Sequence, residues 1–278
     1  MAEIYSNDAK LNDTMELPWL IFTLGENAYA INSKYVNGIE MKPSKITPLP
    51  EAPDIYCGLV ERRGEVYPLL NMRKTFHFPT IDEEVAAFAE TMEQRKKDHL
   101  YWIDKLESCV ETGEKFNLAT DPRLCAFGKW YDNFIAENRG AGLNLKKVEE
   151  PHKKLHEMAP EVIELAENGQ LDKARKLIAI AREDYVPRVL KVLDEAEHAY
   201  RSTFRETVVV LSDGIQMLGL LVDRVLAVDK VTFINGSGNM NLLMQSKFFE
   251  SVARNDKFDM EILVVNEDEL LKLSDVEK

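Results

Sequence analysis

The spacing of apolar residues along the chain changes twice. Short runs rich in Val, Ile, Leu and Tyr, divided by proline and glycine, fill residues 18–76 and predict β-strands. From about residue 82 to about 203 the apolar positions recur every three or four residues, which is the period of an amphipathic helix. Strand-like runs then return after residue 206, where an Asp-Gly pair between two apolar runs predicts a two-residue hairpin, and a further strand is predicted at Glu261–Val265. This order favours one β domain that carries a helical insertion.

The helical region is predicted to contain four antiparallel helices, which would return the chain to its starting end. The first begins near residue 82 and carries one apolar stripe, formed by Val85, Phe88, Met92, His99, Trp102, Leu106 and Cys109. The second is expected to begin at Pro122, capped by Asp121, and to end near residue 140. The third covers about residues 145–167. The fourth covers about residues 171–203, with a kink or break at Pro187.

Composition and charge narrow the classes of function. The chain has 278 residues, a net charge of −13 and three cysteines. Its charge disfavours nucleic acid and anionic membranes as partners, and three cysteines do not make a disulfide framework. No apolar run reaches the ~20 residues needed to span a bilayer, and residues 1–18 lack the features of a signal peptide. We therefore expect a cytoplasmic protein with no direct membrane insertion and no nucleic acid partner.

Histidines and a cysteine fall where the interior of the helical bundle is expected. His99 shares the apolar stripe of the first helix, and His152 and His156 project from one face of the third. Cys125 lies near the start of the second helix, where a helix N-terminus favours the thiolate. Three imidazoles and one thiolate would complete a tetrahedral zinc shell. However, a lone buried cysteine is most often a small hydrophobe, and histidines four residues apart also occur by chance, so spacing alone leaves both interpretations open.

The same residues argue against an enzyme. A shell of four protein ligands leaves no open position for substrate or water. A zinc protease helix carries a glutamate directly after its first histidine, whereas Glu157 follows the second histidine here. The sequence also has no phosphate-binding glycine loop. We therefore expect a protein that is not an enzyme and has no catalytic residues.

Three motifs in the helical region resemble the chemoreceptor zinc-binding (CZB) family: "HLYW" at 99–102, "CAFGKWY" at 125–131 and "HKKLH" at 152–156. The family pattern is a histidine three residues before a tryptophan, then Cys-x-Phe/Leu-Gly-x-Trp, then His-x-x-x-His. The resemblance covers roughly residues 85–180 and implies a four-helix bundle. It implies that Zn2+ is bound by His99, Cys125, His152 and His156.

Ligand chemistry makes this insert a candidate sensor. Zinc affinity depends on a deprotonated thiol and neutral imidazoles, and a thiolate can be oxidised. Cys125 is therefore the expected redox-sensing residue, since its loss as a ligand would loosen three helices together. Gly128 is expected to give the neighbouring helix and the metal room, and Trp102 and Trp130 to pack around the site. Whether the bundle also joins two copies of the chain as a homodimer stays open.

The β regions resemble the CheW family, the coupling proteins of bacterial chemotaxis. The similar segments are "FTLGENAYAI" at 22–31, "ITPLPEAPDIYCGLVERRGEVYPLLNMR" at 46–73 and "MLGLLVDRV" at 217–225. The resemblance covers about residues 17–76 and 206–273. It implies two small five-stranded β-barrels that link chemoreceptor cytoplasmic tips to the histidine kinase CheA. It further implies receptor contacts around Val36, Ile39, Arg63 and Gly64.

The chain departs from this pattern at several positions. The family usually has an acidic residue two positions after Val36, where this chain has Gly38, and its Asn-Leu-Arg-Gly segment appears as Glu61–Gly64. From the residues alone, Val36 and Ile39 are equally consistent with strand core, and Arg63 with a solvated turn. An alternative therefore stays open, in which the CheW-like body no longer couples receptors and the chain is a zinc-stabilised structural or interaction module.

The predicted architecture is thus multidomain, with α and β parts: a CheW-like pair of five-stranded barrels split by an inserted four-helix bundle. The expected boundaries are an N-terminal tail at 1–16, the first CheW-like part at 17–79, the helical insert at 80–205 and the second CheW-like part at 206–278.

Overall fold

A computed structural model of the protein describes residues 17–134, 139–234 and 246–275, with only the backbone of residues 139–141 and 203. The chain divides into two compact units. One combines the chain up to Thr80 with the chain from Arg205 onward, and the other is Ile81–Phe204. The described helices include none that is both long and apolar enough to cross a membrane.

The first unit is built from two β-sheets. Its strands are β1 (Trp19–Leu24), β2 (Asn27–Asn32), β3 (Val36–Met41), β4 (Tyr56–Arg62), β5 (Glu65–Asn71), β6 (Thr207–Ser212), β7 (Met217–Val222), β8 (Arg224–Asp229), β9 (Thr232–Phe233), β10 (Phe249–Asn255) and β11 (Phe258–Val265). One sheet has the order β8-β1-β2-β11-β10-β9, and the other has the order β3-β6-β7-β5-β4. The short helices α1 (Met72–Thr75) and α8 (Glu267–Leu271) follow β5 and β11.

Strands β6 and β7, which follow the helical region in the sequence, are continuous apolar runs because they are buried on both faces. β6 and β7 are central in the five-stranded sheet, and both of its faces are covered. Val209 and Leu211 of β6 enter one core cluster, whereas Val208 and Val210 enter another. A strand that is buried on both faces loses the alternation of apolar and polar residues.

The structure corrects the predicted pair of five-stranded barrels. One sheet has six strands, and neither sheet is closed by strand pairing within the described residues. The outer edge of β4 pairs instead with Thr47, through a single bridge to Leu59. Prolines on both sides of this bridge, at 43, 48 and 50, cannot donate ladder hydrogen bonds, so no longer strand forms there.

Side chains connect the two outer regions of the five-stranded sheet. Glu40 of β3 forms an ion pair with Arg62 of β4, at 2.9 Å between Oε2 and Nε. The other carboxylate oxygen of Glu40 accepts a hydrogen bond from the Tyr67 hydroxyl at 2.9 Å. These three residues, here called the Glu40 cluster, link β3 to β4 and β5 without backbone pairing.

The first unit is here called the β unit, and the second, Ile81–Phe204, the helical unit. An ion pair of Asp223 connects three parts of the β unit. Asp223 lies between β7 and β8 and accepts two hydrogen bonds from Arg73 of α1, at 2.7 and 2.6 Å. It also accepts the Gly25 N–H of the β1–β2 turn at 2.6 Å. Arg73 is buried. Asp223 therefore has a structural role in this unit.

Two strand predictions near the C-terminus need correction. The Asp-Gly pair does not form a two-residue hairpin, because Asp213 accepts N–H groups from both Ile215 and Gln216 at 2.8 Å and so builds a longer turn. The strand predicted at 261–265 begins at Phe258, and its partner β10 was not predicted. Charged residues in β10, such as Glu250 and Arg254, dilute its apolar pattern.

In the helical unit, the first helix forms as predicted and the second begins late. α2 (Ile81–Thr112) buries all seven predicted stripe residues. α3 (Ala126–Asn133) is capped by Cys125 and not by Asp121. Asp121 instead accepts the Arg123 N–H at 2.8 Å within a preceding turn. The predicted continuation of this helix falls partly on residues 135–138, which lie outside the described residues.

The remaining helices differ from the prediction in two ways. The predicted third helix corresponds to α5 (Glu149–Glu167), and the separate helix α4 (Arg139–Lys146), which lies mostly before its predicted start, was not predicted. The fourth is divided into α6 (Leu171–Ile180) and α7 (Val186–Thr203), with a π-helical turn at 181–185. In that turn the Val186 N–H donates to the Ala181 carbonyl, five residues earlier. The wider turn stands directly before Pro187, which has no N–H to continue the regular pattern.

We predict that the β unit loses stability as the pH rises, because of Glu267. This carboxyl group is buried and accepts the Asn32 N–H at 2.5 Å. Burial raises its pKa from 4.5 to about 7. The folded state therefore holds a proton that the unfolded state releases above pH ~4.5, and stability falls from there through pH ~7, by at most ~3 kcal/mol.

Amide hydrogen exchange in β2, compared between the natural protein and Glu267→Gln at pH 5 and pH 8, measures this loss. The Gln variant should exchange more slowly than the natural protein at pH 8 and similarly at pH 5. Glu261→Gln, at an exposed position on β11, is the control and should follow the natural protein. An equal pH dependence in all three proteins would contradict the prediction.

Candidate metal centre

Four side chains from three segments of the helical unit converge in its interior. α2 provides His99, α5 provides His152 and His156, and Cys125 caps α3. Each offers one ligand atom, and these atoms all lie within 4.8 Å of one another. The three histidines are only 1–5% exposed, whereas Cys125 is half-buried. The structure thus brings together all four residues that the motifs single out.

Hydrogen bonds to the backbone orient two of the imidazoles. His99 Nδ1 lies 2.6 Å from the Arg95 carbonyl oxygen, and His156 Nδ1 lies 3.1 Å from that of Ala119. A carbonyl oxygen only accepts, so each Nδ1 must carry the proton and each Nε2 keeps a free lone pair. Both Nε2 atoms are buried and lack a hydrogen-bond partner within the described structure.

The third imidazole faces the thiol. His152 Nε2 lies 3.3 Å from Cys125 Sγ, and its ring stands 5.1 Å from the His99 ring and 4.6 Å from the His156 ring, between centroids. The geometry therefore directs three Nε2 atoms and one sulfur toward a common point.

Burial controls the ionisation of these groups. It lowers the pKa of His152 to about 2 and that of His156 to about 4, with a smaller contribution from the neighbouring imidazoles, and it also lowers the pKa of His99. All three are therefore neutral near pH 7, as metal ligands must be. Burial raises the pKa of Cys125 and outweighs the N–H groups of Gly128 and Phe127, which lower it. The helix N-terminus thus does not by itself lower the pKa of Cys125 enough to offset burial.

The donor set fits a metal ion. Buried polar atoms without partners are costly, and a cation between the Nε2 atoms of His99 and His156 would satisfy both at once. Three imidazoles and a thiolate are ligands typical of tetrahedral zinc sites. A tetrahedral ion with bonds of ~2.0–2.3 Å keeps its ligand atoms about 3.3–3.8 Å apart, which side chains already within 4.8 Å can reach by small adjustments.

The Cys-x-x-Gly spacing has a local structural reason. Cys125 Sγ accepts the Gly128 N–H at 3.2 Å as the cap of α3. A Cβ atom on Gly128 would lie 2.0 Å from the Pro122 carbonyl oxygen and 2.8 Å from Arg123 Cα. Gly128 therefore makes room for the turn that precedes its own helix. The expectation that Gly128 also makes room for the neighbouring helix and the metal stays a prediction.

The two tryptophans of the motifs have different surroundings. Trp130 packs with Phe88, Phe127 and Phe134 in the core of the unit. Trp102 contacts the His156 ring, at 4.7 Å between centroids, and donates its indole N–H to the Ala119 carbonyl at 2.8 Å. Sequence reasoning missed the carbonyls of Arg95 and Ala119, because a backbone acceptor leaves no mark on residue identity.

The predicted receptor-contact residues lie in the β unit. Val36 is half-buried at the start of β3 and packs against a core cluster, whereas Ile39 of the same edge strand is 45% exposed. Arg63 and Gly64 form the exposed turn between β4 and β5, both with positive φ, at 52° and 85°. Ile39 is therefore not strand core, and Arg63 occupies a left-handed conformation that is uncommon outside glycine.

The departure at Gly38 is explained by Arg62, which sequence reasoning did not single out. A Cβ atom at position 38 would lie 2.6 Å from Arg62 Nη1, so the absence of a side chain lets the guanidinium lie over β3. Arg62 then pairs with Glu40. Glu40 therefore places a carboxylate two residues after Gly38, on the same face of the strand.

Comparison with known protein families matches two consecutive segments of the chain. Residues 18–97 match the CheW-like domain, and residues 99–163 match the chemoreceptor zinc-binding domain. No curated protein matches the chain. Among solved structures, the crystal structure of scaffolding protein TtCheW from Thermoanaerobacter tengcongensis matches with 12% identity and a TM-score of 0.37, over 90% of this chain and 88% of that one. The chain therefore contains a CheW-like domain followed by a chemoreceptor zinc-binding domain.

We predict that Gly128→Ala destabilises the helical unit. The new Cβ would collide with backbone atoms of the preceding turn, at a cost of about 1–3 kcal/mol. Helix propensity alone would instead stabilise the variant by ~1 kcal/mol. The sign of the change in the free energy of unfolding therefore shows which of the two effects is larger. Chemical denaturation followed by circular dichroism at 222 nm measures it. Lys129→Ala, at the next and exposed position of α3, is the control, and a Gly128→Ala variant as stable as the natural protein would contradict the prediction.

Proposed function

We propose that this protein is a non-enzymatic chemotaxis scaffold that couples chemoreceptors to the histidine kinase CheA, with a zinc ion in its helical insert. Residues 17–79 and 206–278 would form the CheW-like body, and residues 80–205 would be the insert. The proposal rests chiefly on the convergence of four donor atoms within 4.8 Å, in the part of the chain that matches the chemoreceptor zinc-binding domain. We expect it to act in the cytoplasm.

The proposed ligands are His99, Cys125, His152 and His156, and each has a role that its surroundings support. His99 and His156 present unprotonated Nε2 atoms, His152 Nε2 faces the Cys125 sulfur, and the ion would compensate the cost of a buried Cys125 thiolate. Since the shell has no open position, the ion would hold α2, α3 and α5 together and would not bind a substrate.

Loss of one ligand provides a mechanism for sensing. Hypochlorous acid oxidises a thiolate to sulfenic acid and is itself reduced to chloride, and the product is a weaker ligand than the thiolate. Scarcity of zinc would empty the same site. In both cases α2, α3 and α5 would no longer be joined by a shared ion, and we propose that this change modulates coupling through the CheW-like body.

The Glu40 cluster favours coupling over the alternative of a body that no longer binds receptors. That alternative depends on the missing acidic residue at Gly38. Glu40 provides a carboxylate on the same strand face and already pairs with Arg62. Beside it, Ile39 is exposed on an edge strand of the sheet, where an apolar side chain is available to a partner.

For the metal, we predict about one zinc ion per chain in the purified protein. Cys125→Ala should weaken zinc binding by ~100-fold or more, which exceeds the effect usual for residues that only support a ligand. Metal analysis and competition with a chelating dye measure stoichiometry and affinity. Cys57→Ala is the matched control, because Cys57 is also a free, half-buried cysteine but lies in the β unit. A natural protein without zinc, or equal effects of the two variants, would contradict the proposed site.

For coupling, we predict that the zinc-loaded protein forms a complex with CheA and a receptor signalling tip, and that a chelator changes the amount captured. Pull-down with both partners measures this. Ile39→Asp should reduce receptor capture at least tenfold, since it puts a charge on the proposed contact surface. Ile215→Asp is the control, because Ile215 is 92% exposed in the β6–β7 turn.

The outcomes of this experiment separate the parts of the proposal. Absence of binding with and without zinc would overturn coupling. Equal binding in both states would leave coupling intact and overturn the regulatory role of zinc.

A further inference from the structure

One backbone oxygen links a buried tryptophan to a proposed metal ligand. The Ala119 carbonyl, in the segment between α2 and α3, accepts the Trp102 indole N–H at 2.8 Å and the His156 Nδ1–H at 3.1 Å. Both side chains are buried, at 5% and 1% exposure. An indole nitrogen can only donate and a carbonyl oxygen can only accept, so the direction of both hydrogen bonds is fixed.

The two oriented histidines obtain their acceptors in different ways. His99 donates to the carbonyl of Arg95, four residues earlier in its own helix. That oxygen is held by the regular geometry of α2. His156 donates instead to Ala119, in a segment without regular structure. A carbonyl in such a segment keeps its direction only if other contacts hold it.

Trp102 provides these contacts. It lies on α2 three residues after His99, on the same face of the helix. Its N–H bonds the Ala119 oxygen, its ring lies 4.7 Å from the His156 ring, and Phe116 of the same connecting segment packs edge-on against it at 5.4 Å. One side chain of α2 therefore fixes both the acceptor and the ring that donates to it.

We propose that Trp102 is a positioning residue of the metal centre: its indole N–H holds the Ala119 carbonyl, which in turn keeps His156 in the tautomer that presents Nε2 to His99, Cys125 and His152. This inference rests on the proposed zinc site but goes beyond its four ligands. Partners that orient a metal-bound histidine typically change affinity by 10–100-fold when they are removed. A tryptophan that only fills the core would not act in this way.

The test is Trp102→Phe, which keeps an aromatic ring and removes the N–H donor. In zinc-free protein with 15N-labelled histidine, NMR should show His156 protonated at Nδ1 in the natural protein and a substantial share of the Nε2-protonated form in the variant. Zinc affinity should fall 10–100-fold. Trp130→Phe is the matched control, since it makes the same change at a half-buried position packed against the same core, and it should alter neither the tautomer nor the affinity.

Two results would overturn the proposal: an unchanged His156 tautomer in Trp102→Phe, or equal losses of zinc affinity in both tryptophan variants. If Trp102→Phe does not fold, NMR of the natural protein tests the proposed contacts instead. A His156 protonated at Nε2, or a Trp102 indole proton that exchanges rapidly with water, would contradict them. Absence of zinc binding by the natural protein would overturn the proposed function. The tautomer measurement in zinc-free protein would still decide the role of Trp102.

Discussion

The helical unit depends on how it satisfies three imidazoles that are almost completely removed from water. A buried polar group without a partner costs about as much as a lost hydrogen bond or more, and His99 and His156 each have one ring nitrogen in that position. Two backbone carbonyls satisfy the other nitrogens and thereby aim the unsatisfied ones at Cys125 and His152. The helices therefore pack around a donor set that could hold a cation. A metal ion bound there would contribute to the folding of the unit as well as to its proposed signal.

In the β unit, buried and half-buried charged groups are satisfied by ion pairs. Asp223 joins Arg73 to the β1–β2 turn, so that a buried guanidinium has a bidentate partner. The Glu40–Arg62 pair connects outer strands that no backbone ladder joins. Because Arg62 lies over Gly38, an apparent gap in the family pattern is part of the arrangement.

Much of this could be predicted from sequence where the signal is periodic. The stripe of α2 was identified in full, since a long amphipathic helix repeats its pattern many times. The four proposed metal ligands were predicted from three motifs in order, and the structure brings these residues together. Element ends were less predictable: Cys125 replaces Asp121 as the cap of α3 because local turn geometry, and not residue preference, decides there. The Glu40–Arg62 pair could not be foreseen, because it depends on the approach of β3 and β4, the two outermost strands of the sheet, in three dimensions. It also depends on the pairing of the free edge of β4 with Thr47.

The shared Ala119 oxygen has a consequence for how such sites change during evolution. A carbonyl belongs to the backbone, so residue 119 can vary widely without loss of the acceptor. What cannot vary freely is the number of residues between Trp102 and the turn before Cys125, since an insertion or deletion would move a different carbonyl into that place. Selection on this connecting segment should therefore preserve its length more strictly than its composition. Among related chains with a tryptophan at this position, those that keep this shared oxygen would then be recognised by the length of the segment and not by a further conserved side chain.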